Sequence, residues 1–598
     1  MLRFTIILAF LVVVGCIQQK EEIPPLPVMQ TSSEKIIIYQ LMTRLFGNTT
    51  TLNKPYGTLH ENGVGKFADI NDQALKSLKE LGITHVWYTG IIEHAVLTDY
   101  TRYGIPLDDA DVVKGRAGSP YAIKDYYDVN PDLAVDVPNR MGEFEQLLER
   151  THRNNMKVII DFVPNHVARA YRSDAKPKGV RDLGEDDDKT VRFKPSNNFY
   201  YLPGESFVVP MDYVSLGVGN YYITKDGKFK ETPAKVTGND QFTSSPGVNE
   251  WFETVKLNYG VDIENGRQNY FDPIPDTWIK MKDILIFWAN KKIDGFRCDM
   301  AEMIPVEFWN WAIPQVKAVN PEIIFIAEIY NPSQYKNYIN TGRFDYLYDK
   351  VQLYDTLRLL ISGKQSTEDI GTIQRSLEGI NGNMVHFLEN HDEQRIASPQ
   401  FTGNPWKAVP GMVISATVDQ GPVMIYFGQE VGEPGDGAEG FQGDDGRTTI
   451  FDYWGVPEHQ KWVNHGTFDG DSLSDDQKNL RIFYSTLLNL ASKNQAIVSG
   501  AFYDLTKYNI QQRNISNNVF VCIREYHGER LLVIVGFNPV QRNIKVEIPE
   551  DVANRISLTD KEEYSLRDEL WGQPELTMKD RSVVVELPSY GAFIFKIE

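Results

Sequence analysis

Between residues 35 and 486 the chain alternates short β-branched hydrophobic runs with longer stretches of helical periodicity, which is typical of a parallel β/α architecture. The runs that predict strands lie at 36–39, 84–88, 158–162, 293–297, 323–327, 345–348, 384–388 and 423–427. Eight parallel strands are the number that closes a (β/α)8 TIM barrel, and we therefore predict this α/β fold.

Two departures from a regular alternation predict further domains. About 130 residues separate the third and fourth strands, and the segment 167–262 within this gap is rich in Gly, Asn, Asp and Tyr. We expect it to form an inserted domain that divides the barrel into 34–166 and 263–494. From 495 to 598 the pattern changes to alternating strands, at 519–525, 531–537, 543–548, 583–587 and 592–597. This pattern predicts a C-terminal all-β domain, which we expect to be a β-sandwich.

The N-terminus has the pattern of a secretion signal. Arg3 is followed by an apolar run at 4–14 that is too short to span a bilayer, and Gly15 precedes Cys16. The segment 13–16 resembles a bacterial lipobox, which implies cleavage after a 1–15 signal peptide and a lipid on Cys16. We therefore predict a proline-containing tether at 16–33 and a place in the bacterial cell envelope, with the membrane contacted only through the lipid. A plain signal peptide with an incidental cysteine stays an alternative, and the leaflet stays open.

Composition narrows the class of partner. The formal net charge of -20 opposes binding to nucleic acid or to an anionic substrate, so a neutral substrate fits better. With 598 residues the chain is long enough for several domains. Apart from Cys16 only Cys298 and Cys522 occur, both within apolar stretches, and we expect buried free thiols.

Chemically active side chains follow four of the predicted strands. The active site of such a barrel forms at the carboxyl ends of its strands, so residues at these ends should converge on one rim. Strand three ends in Asp161, Asn165 and His166, strand four in Arg297 and Asp299, strand five in Glu328, and strand seven in His391 and Asp392.

These four segments, in this order, resemble the four motif regions of the α-amylase family, glycoside hydrolase family 13. Tyr121, in the segment 119–121, also resembles the tyrosine that stacks under the sugar being cleaved. The resemblance covers residues 35–598, with the insertion as domain B and the β domain as domain C. It implies a retaining glycoside hydrolase that cleaves α-1,4-glucosidic bonds in starch-derived α-glucans or maltooligosaccharides.

The resemblance also assigns roles to the strand-end residues. Asp299 corresponds to the nucleophile, Glu328 to the general acid and base, and Asp392 to the third carboxylate, while His166 and His391 correspond to sugar-binding histidines. Independently, retention requires two carboxyl groups about 5 to 5.5 Å apart, which adjacent strands can supply. Arg297 lies two residues before Asp299 on the same side of the strand and can keep it ionised.

Three positions depart from the family pattern on the acceptor side. Glu302 and Met303 stand where many α-amylases have Lys-His, so acceptor specificity is open. Tyr330 stands where a tryptophan is common, and we expect it to be either a stacking platform for sugar or a packed core residue.

The sequence also bears on metal binding. Lys256 resembles the neopullulanase-like form of a fifth family region, in which lysine replaces a calcium-binding aspartate. Asn165 resembles a calcium ligand, but one carbonyl oxygen is far from the six to eight that calcium takes. We therefore expect activity without an obligatory cofactor, with calcium as the alternative and the metal ligands unknown.

Several functions share this set of residues. An α-glucan transglycosylase, an α-glucosidase or a pullulan-acting enzyme would use the same carboxylates. An alternative from a different class is a non-catalytic surface glycan-binding lipoprotein, and proteins of a starch-uptake system are then further candidate partners. A binder would be free to lose Asp299 or Glu328, and the sequence keeps both, which favours an enzyme.

Overall fold

A computed structural model of the chain describes residues 34–210, 225–437, 440–441 and 443–598. The predicted signal peptide, Cys16 and the tether lie outside these residues. Over the described part of the chain, none of the helices combines the length and the apolar character that crossing a membrane requires.

The predicted barrel is confirmed. Its eight strands, numbered here in chain order, are β1 Ile37–Met42, β2 His85–Thr89, β3 Lys157–Phe162, β4 Gly295–Cys298, β5 Ile324–Ala327, β6 Tyr346–Tyr348, β7 Met384–Val385 and β8 Val423–Tyr426. Each strand pairs in parallel with the next from β1 to β7, and β8 pairs with β1. A bridge between His386, just after β7, and Val423 of β8 closes the ring.

Helices surround the barrel on the outside. The longer ones are Asp72–Glu80, Arg140–Arg153, Asp276–Asn290, Val306–Val319, Asp355–Ile361, Glu368–Ser376, Val409–Thr417, Pro457–Val463 and Asp475–Lys493. The last begins at Asp475, directly after Ser474, because Ser474 and Gln477 form a capping box that satisfies the first free N–H groups.

Side chains fill the barrel, as the alternation of its strands requires. Ile38 of β1 points inward, while its neighbours Ile37 and Tyr39 pack against the outer helices. The interior layer consists of Ile38, Trp87, Ile159, Ile326, Tyr348, Tyr354, Val385, Phe387 and Met424. This packed layer is the floor on which the carboxyl-end side chains rest.

The segment between β3 and β4 forms a protrusion with its own small core. Its first strand, His166–Ala168, pairs with the late strand Thr254–Lys256, so the two ends of the protrusion are held together. Buried residues such as Tyr200, Leu202 and Phe252 pack inside it. A second ladder, which the sequence pattern did not predict, pairs Ile92–His94 with the fully buried strand Ile123–Val129.

The C-terminal all-β prediction is also confirmed, as one antiparallel sheet of eight strands: β9 Ala501–Asp504, β10 Val519–Tyr526, β11 Glu529–Gly536, β12 Arg542–Glu547, β13 Glu563–Asp568, β14 Leu576–Lys579, β15 Ser582–Leu587 and β16 Ala592–Ile597. Five of these were predicted. The sheet is fixed to the barrel by buried Arg524, whose guanidinium donates to the carbonyl oxygens of Val418, Ala496, Ile497 and Gly500. Cys298 and Cys522 are buried free thiols, as predicted.

Candidate active site

A cavity of about 390 Å³ opens at the carboxyl ends of the barrel strands. It is lined by Lys114, Ser119, Tyr121, His166, Trp251, Glu253, Thr254, Asp299, Met300, Glu328, Tyr330, His391, Asp392, Phe441, Ile450 and Phe451. All the sugar-site residues predicted from the sequence line it except Arg297, which is fully buried beneath. A larger groove of about 800 Å³, between the barrel and the C-terminal sheet, contains none of them, so the smaller cavity is the candidate site.

The guanidinium of Arg297 organises the floor of the cavity. One of its nitrogens lies 2.8 Å from Asp299 Oδ1 and another 2.8 Å from Glu328 Oε1. The rings of Trp87, Tyr121 and Tyr348 surround the guanidinium, each with its centroid 5.4 Å away. The sequence predicted the contact with Asp299 but not the contact with Glu328, because Glu328 comes from the neighbouring strand.

Burial raises the proton affinity of both carboxyl groups. Burial raises the pKa of Asp299, and the adjacent Arg297 opposes this rise. For Glu328 burial is again the main cause, Arg297 again opposes it, and the negative charges of Asp299 and Asp392 add to it, so its pKa rises to about 7. A carboxyl group with a pKa of about 7 keeps its proton into the neutral range and can serve as a general acid there.

Two further donors fix the Glu328 carboxyl. The backbone N–H of Met300 donates to Oε2 and the hydroxyl of Tyr330 donates to Oε1, each at 2.8 Å. Tyr330 was predicted to be either a sugar platform or a packed residue. It lines the cavity, and it also holds Glu328 through its hydroxyl, a contact that its sequence position alone did not predict.

Tyr121, His391 and Asp392 form a connected group on one wall. The rings of Tyr121 and His391 stack at 5.2 Å, and the tyrosine hydroxyl lies 2.6 Å from His391 Nε2. Gln40 Nε2 lies 2.7 Å from the other ring nitrogen, Nδ1. His391 Nε2 is also 3.0 Å from Asp392. Burial alone would raise the pKa of Asp392, but His391 overcomes this and lowers it.

His166 lies on another wall, at the base of the protrusion. Its ring packs against that of Trp251, with centroids 5.3 Å apart. Burial lowers the pKa of His166 to about 3, so the imidazole is neutral at ordinary pH and can both donate and accept hydrogen bonds.

Several cavity residues were not found from the sequence. Lys114 and Glu253 form an ion pair at 2.8 Å, and the aromatic residues Trp251, Phe441 and Phe451 complete the walls. They come from loops and from the protrusion, where no strand-end position marks them. The aromatic share of 12% suits a surface that stacks on sugar rings, but it does not say where in the chain such a surface lies.

The calcium position suggested by Asn165 is occupied by a lysine. The ammonium of Lys256 donates to Asn165 Oδ1 and forms an ion pair with Asp240 at 2.8 Å. The Asn165 amide nitrogen donates to the carbonyl of Gly238. The oxygens that would surround a cation here already bind an ammonium, so a calcium ion does not fit this position.

Comparison with known proteins places these features in a family. The model of the α-amylase catalytic domain matches residues 40–500. α-Amylase 3 of Dictyoglomus thermophilum is 24% identical over 460 residues, which are 72% of this chain and 77% of that protein. Neopullulanase 2 of Thermoactinomyces vulgaris is 21% identical over 534 residues, 87% and 72% of the two chains. Cyclomaltodextrinase of Thermoanaerobacter pseudethanolicus is 23% identical over 532 residues, 86% and 73%.

Solved structures share the fold. The maltogenic α-amylase AmyB of Thermotoga neapolitana aligns with a TM-score of 0.59 at 18% identity, covering 94% of this chain and 98% of its own. The α-amylase of Geobacillus thermoleovorans gives 0.59 at 19% identity, covering 96% and 99%. The family match extends over most of the barrel and includes every residue of the cavity. The chain therefore belongs to the α-amylase family of glycoside hydrolases.

Proposed function

We propose that this chain cleaves α-1,4-glucosidic bonds in starch-derived α-glucans or maltooligosaccharides with retention of the anomeric configuration. Asp299 attacks the anomeric carbon while protonated Glu328 gives its proton to the departing glycosidic oxygen. The resulting glycosyl ester is then hydrolysed by a water molecule, whose proton passes to the Glu328 carboxylate. Asp299 leaves as a carboxylate and Glu328 regains its proton, so the cycle closes.

The observation that carries this proposal is the shared contact of Asp299 and Glu328 with Arg297. Two carboxyl groups that each lie 2.8 Å from one guanidinium must be near neighbours, which suits direct attack by one of them. The raised pKa of Glu328 supplies the acid that the first step needs.

The remaining wall residues suit a neutral sugar in the site. We assign Tyr121 as the ring on which the sugar stacks, because this aromatic residue lines the cavity and its ring is held in place by that of His391. We assign Asp392, His391 and His166 to sugar hydroxyls, since together they offer carboxylate oxygens and imidazole nitrogens that can form hydrogen bonds.

The names of the relatives support an α-glucan as substrate, because they include an α-amylase, a neopullulanase and a cyclomaltodextrinase. Linkage preference and the balance of hydrolysis and transfer differ among such enzymes. An α-glucan transglycosylase or a pullulan-acting enzyme is therefore the second candidate, and it requires the same carboxylates.

The test uses the full chain in mild detergent, incubated separately with maltoheptaose, pullulan and a cyclodextrin, with products followed by NMR that resolves the anomers. We expect α-anomers of short maltooligosaccharides at early times, and no products from a Glu328→Gln control. Products longer than the substrate would identify a transglycosylase. Binding without turnover of any of the three substrates would favour the non-catalytic glycan-binding alternative.

We also propose that Cys16 carries a lipid that holds the enzyme on the bacterial envelope. This rests on the 13–16 segment, which resembles a lipobox. In a bacterial host, the unaltered chain should sediment with membranes and Cys16→Ser should be released to the soluble fraction. A Cys16→Ser protein that still sediments would place the anchor elsewhere. If the anchor holds, cross-linking in the native host would be the way to identify partners in starch uptake.

The proposed reaction has no step that requires a metal ion. The position at Asn165 is bound by Lys256, and the acid, the nucleophile and the charge balance all come from side chains. We therefore expect kcat at 25 °C to be unchanged after treatment with a chelator. Loss of kcat that calcium alone restores would contradict this proposal.

A further inference from the structure

A second group of buried acids lies outside the active-site cavity. It consists of Glu93 on the short strand after β2, Asp125 on the partner strand, and Asp174 at the start of the protrusion. Glu93 and Asp125 face each other in the register of the ladder. One carboxylate oxygen from each of the three residues lies within 4.8 Å of the other two.

Glu93 is the unusual member of this group. Its side chain is 1% exposed, and neither carboxylate oxygen has a hydrogen-bond partner among the residues that the structure describes. Burying an ionised carboxylate without a partner is strongly unfavourable, because it removes the charge from water without replacing the lost interactions. The nearby cation Lys124 offers little compensation, because its ammonium is bound to Asp108 at 3.0 Å.

The other two carboxylates are positioned as ligands would be. Asp125 is fixed by four donors: the N–H groups of Tyr127, Asp174 and Ala175 and the hydroxyl of Ser173. Asp174 is the most exposed of the three, with its carboxylate 3.9 Å from Arg140, and Arg140 itself is bound more closely to Asp128. The cluster is therefore closed on the Glu93 side and open to solvent at Asp174.

We propose that Glu93, Asp125 and Asp174 bind one divalent metal ion of the calcium type. Calcium binds carboxylate oxygens at about 2.3 to 2.6 Å, so ligands on opposite sides of the ion are about 5 Å apart, close to the separations in this cluster. Glu93 and Asp174 offer two carboxylate oxygens each, Asp125 adds oxygens that also accept hydrogen bonds, and the open side at Asp174 leaves room for water. The ion supplies the positive charge that Glu93 lacks.

The site would act on the architecture of the enzyme and not on its chemistry. The strand that carries Asp125 begins two residues after Tyr121, which lines the active-site cavity, and Asp174 belongs to the protrusion that carries His166. A bound ion would thus join the barrel rim to the protrusion. This site is separate from the Asn165 position, where Lys256 stands in for a cation.

The test measures metal binding and does not depend on turnover. The full chain in mild detergent is stripped with a chelator, dialysed against calcium, and analysed for bound metal by mass spectrometry, with magnesium in a parallel sample. We expect one calcium per chain in the unaltered protein and none in Glu93→Gln. Asp174→Asn, at the exposed edge, should bind at least about tenfold more weakly, and it keeps the test valid if Glu93→Gln fails to fold. Asp240→Asn, which alters the family position, should still bind one ion.

Thermal unfolding gives a second readout. Calcium should raise the Tm of the unaltered chain and leave that of Glu93→Gln unchanged. Without calcium, Glu93→Gln should be at least as stable as the unaltered chain, since the change removes an uncompensated buried charge. If the unaltered chain binds neither calcium nor magnesium, Glu93 is instead a buried neutral acid and the proposal is wrong. Calcium that is lost in Asp240→Asn but kept in Glu93→Gln would place the ion at the family position and also overturn it.

Discussion

The two acidic clusters at the rim of the barrel differ in how their charge is compensated. In the active site, the carboxylates of Asp299 and Glu328 share the guanidinium of Arg297, which is itself held in a box of aromatic rings. In the second cluster, Glu93 is just as deeply buried and has no such partner among the described residues. Both clusters lie beyond the carboxyl ends of the barrel strands.

The presence or absence of an internal cation distinguishes a catalytic cluster of acids from a metal-binding one. A guanidinium that is part of the fold keeps two carboxyl groups close together at the cavity, where both can reach a bound sugar. A cluster without an internal cation has to be neutralised by protonation or by an ion from solution. The group at Lys256 is a third case, in which an ammonium of the chain takes the place of the ion.

The largest loss of activity should come from a substitution in the active-site cluster, which contains the internal cation Arg297. Asp299→Asn keeps the shape of the side chain but removes the nucleophile, so we expect kcat on maltoheptaose to fall by about a thousandfold or more while binding of the oligosaccharide persists. Stopped assays give kcat, and titration calorimetry gives binding.

The matched control is Asp294→Asn, at the other end of the same segment. Asp294 precedes β4 on the amino-end side of the barrel, where it binds His152 and the N–H of Val158. Because residues on that face serve stability and not catalysis, kcat should stay within a few fold of normal and Tm should fall. Near-normal turnover by Asp299→Asn would remove the distinction between the two clusters.

The fold was largely predictable because its signal is local. Each barrel strand lies within a short, largely hydrophobic run that is buried, and all eight were found from that pattern. The strands that were missed are different in kind. β14 has four residues, β13 alternates with charged residues, and Ile123–Val129 is buried on both faces although three of its seven residues are charged. Their burial comes from tertiary contacts that the local sequence does not encode.

The site was predictable only in part, for the same reason. Strand ends marked Asp299, Glu328 and Asp392, since a fixed offset from a strand puts a residue at the rim. Nothing local indicated that Arg297 would reach Glu328, or that Glu93 would be left without a partner. Those contacts depend on which strands are neighbours in the barrel and on how the protrusion packs against the barrel rim.

The next effect concerns the pH at which the active-site cluster works. Glu328 must carry a proton in the first step, and its pKa of about 7 means that this proton is lost as the pH rises through 7. We expect kcat/KM to fall about tenfold per pH unit above that point. On the acid side, activity should fall when Asp299 is protonated, at a pH above the usual aspartate range because burial raises its pKa.

Tyr330→Phe sharpens this prediction. The lost hydroxyl donates to Glu328 Oε1 and so favours the carboxylate over the acid. Its removal should raise the pKa of Glu328 and move the alkaline limb of the profile to higher pH, with the acid limb unchanged. A purely structural role for Tyr330 would lower activity at every pH without moving either limb.

The smallest effect should be a loss of stability on substitution of Lys256, the lysine whose ammonium takes the place of an ion. Lys256→Met keeps the apolar stem but leaves Asp240 and the buried amide oxygen of Asn165 without their donor, so the free energy of unfolding should fall by about 1 to 3 kcal/mol. Thermal and urea unfolding would measure this loss.

The control is Lys54→Met, which removes an ammonium from the exposed Glu61 and should change stability little. If the free energy of unfolding falls equally little in both variants, the ammonium of Lys256 does not act as an internal cation. Buried acids at this rim would then tolerate the absence of a cation. In that case Glu93 would need no ion either, so the stability of Lys256→Met bears directly on the proposed metal site.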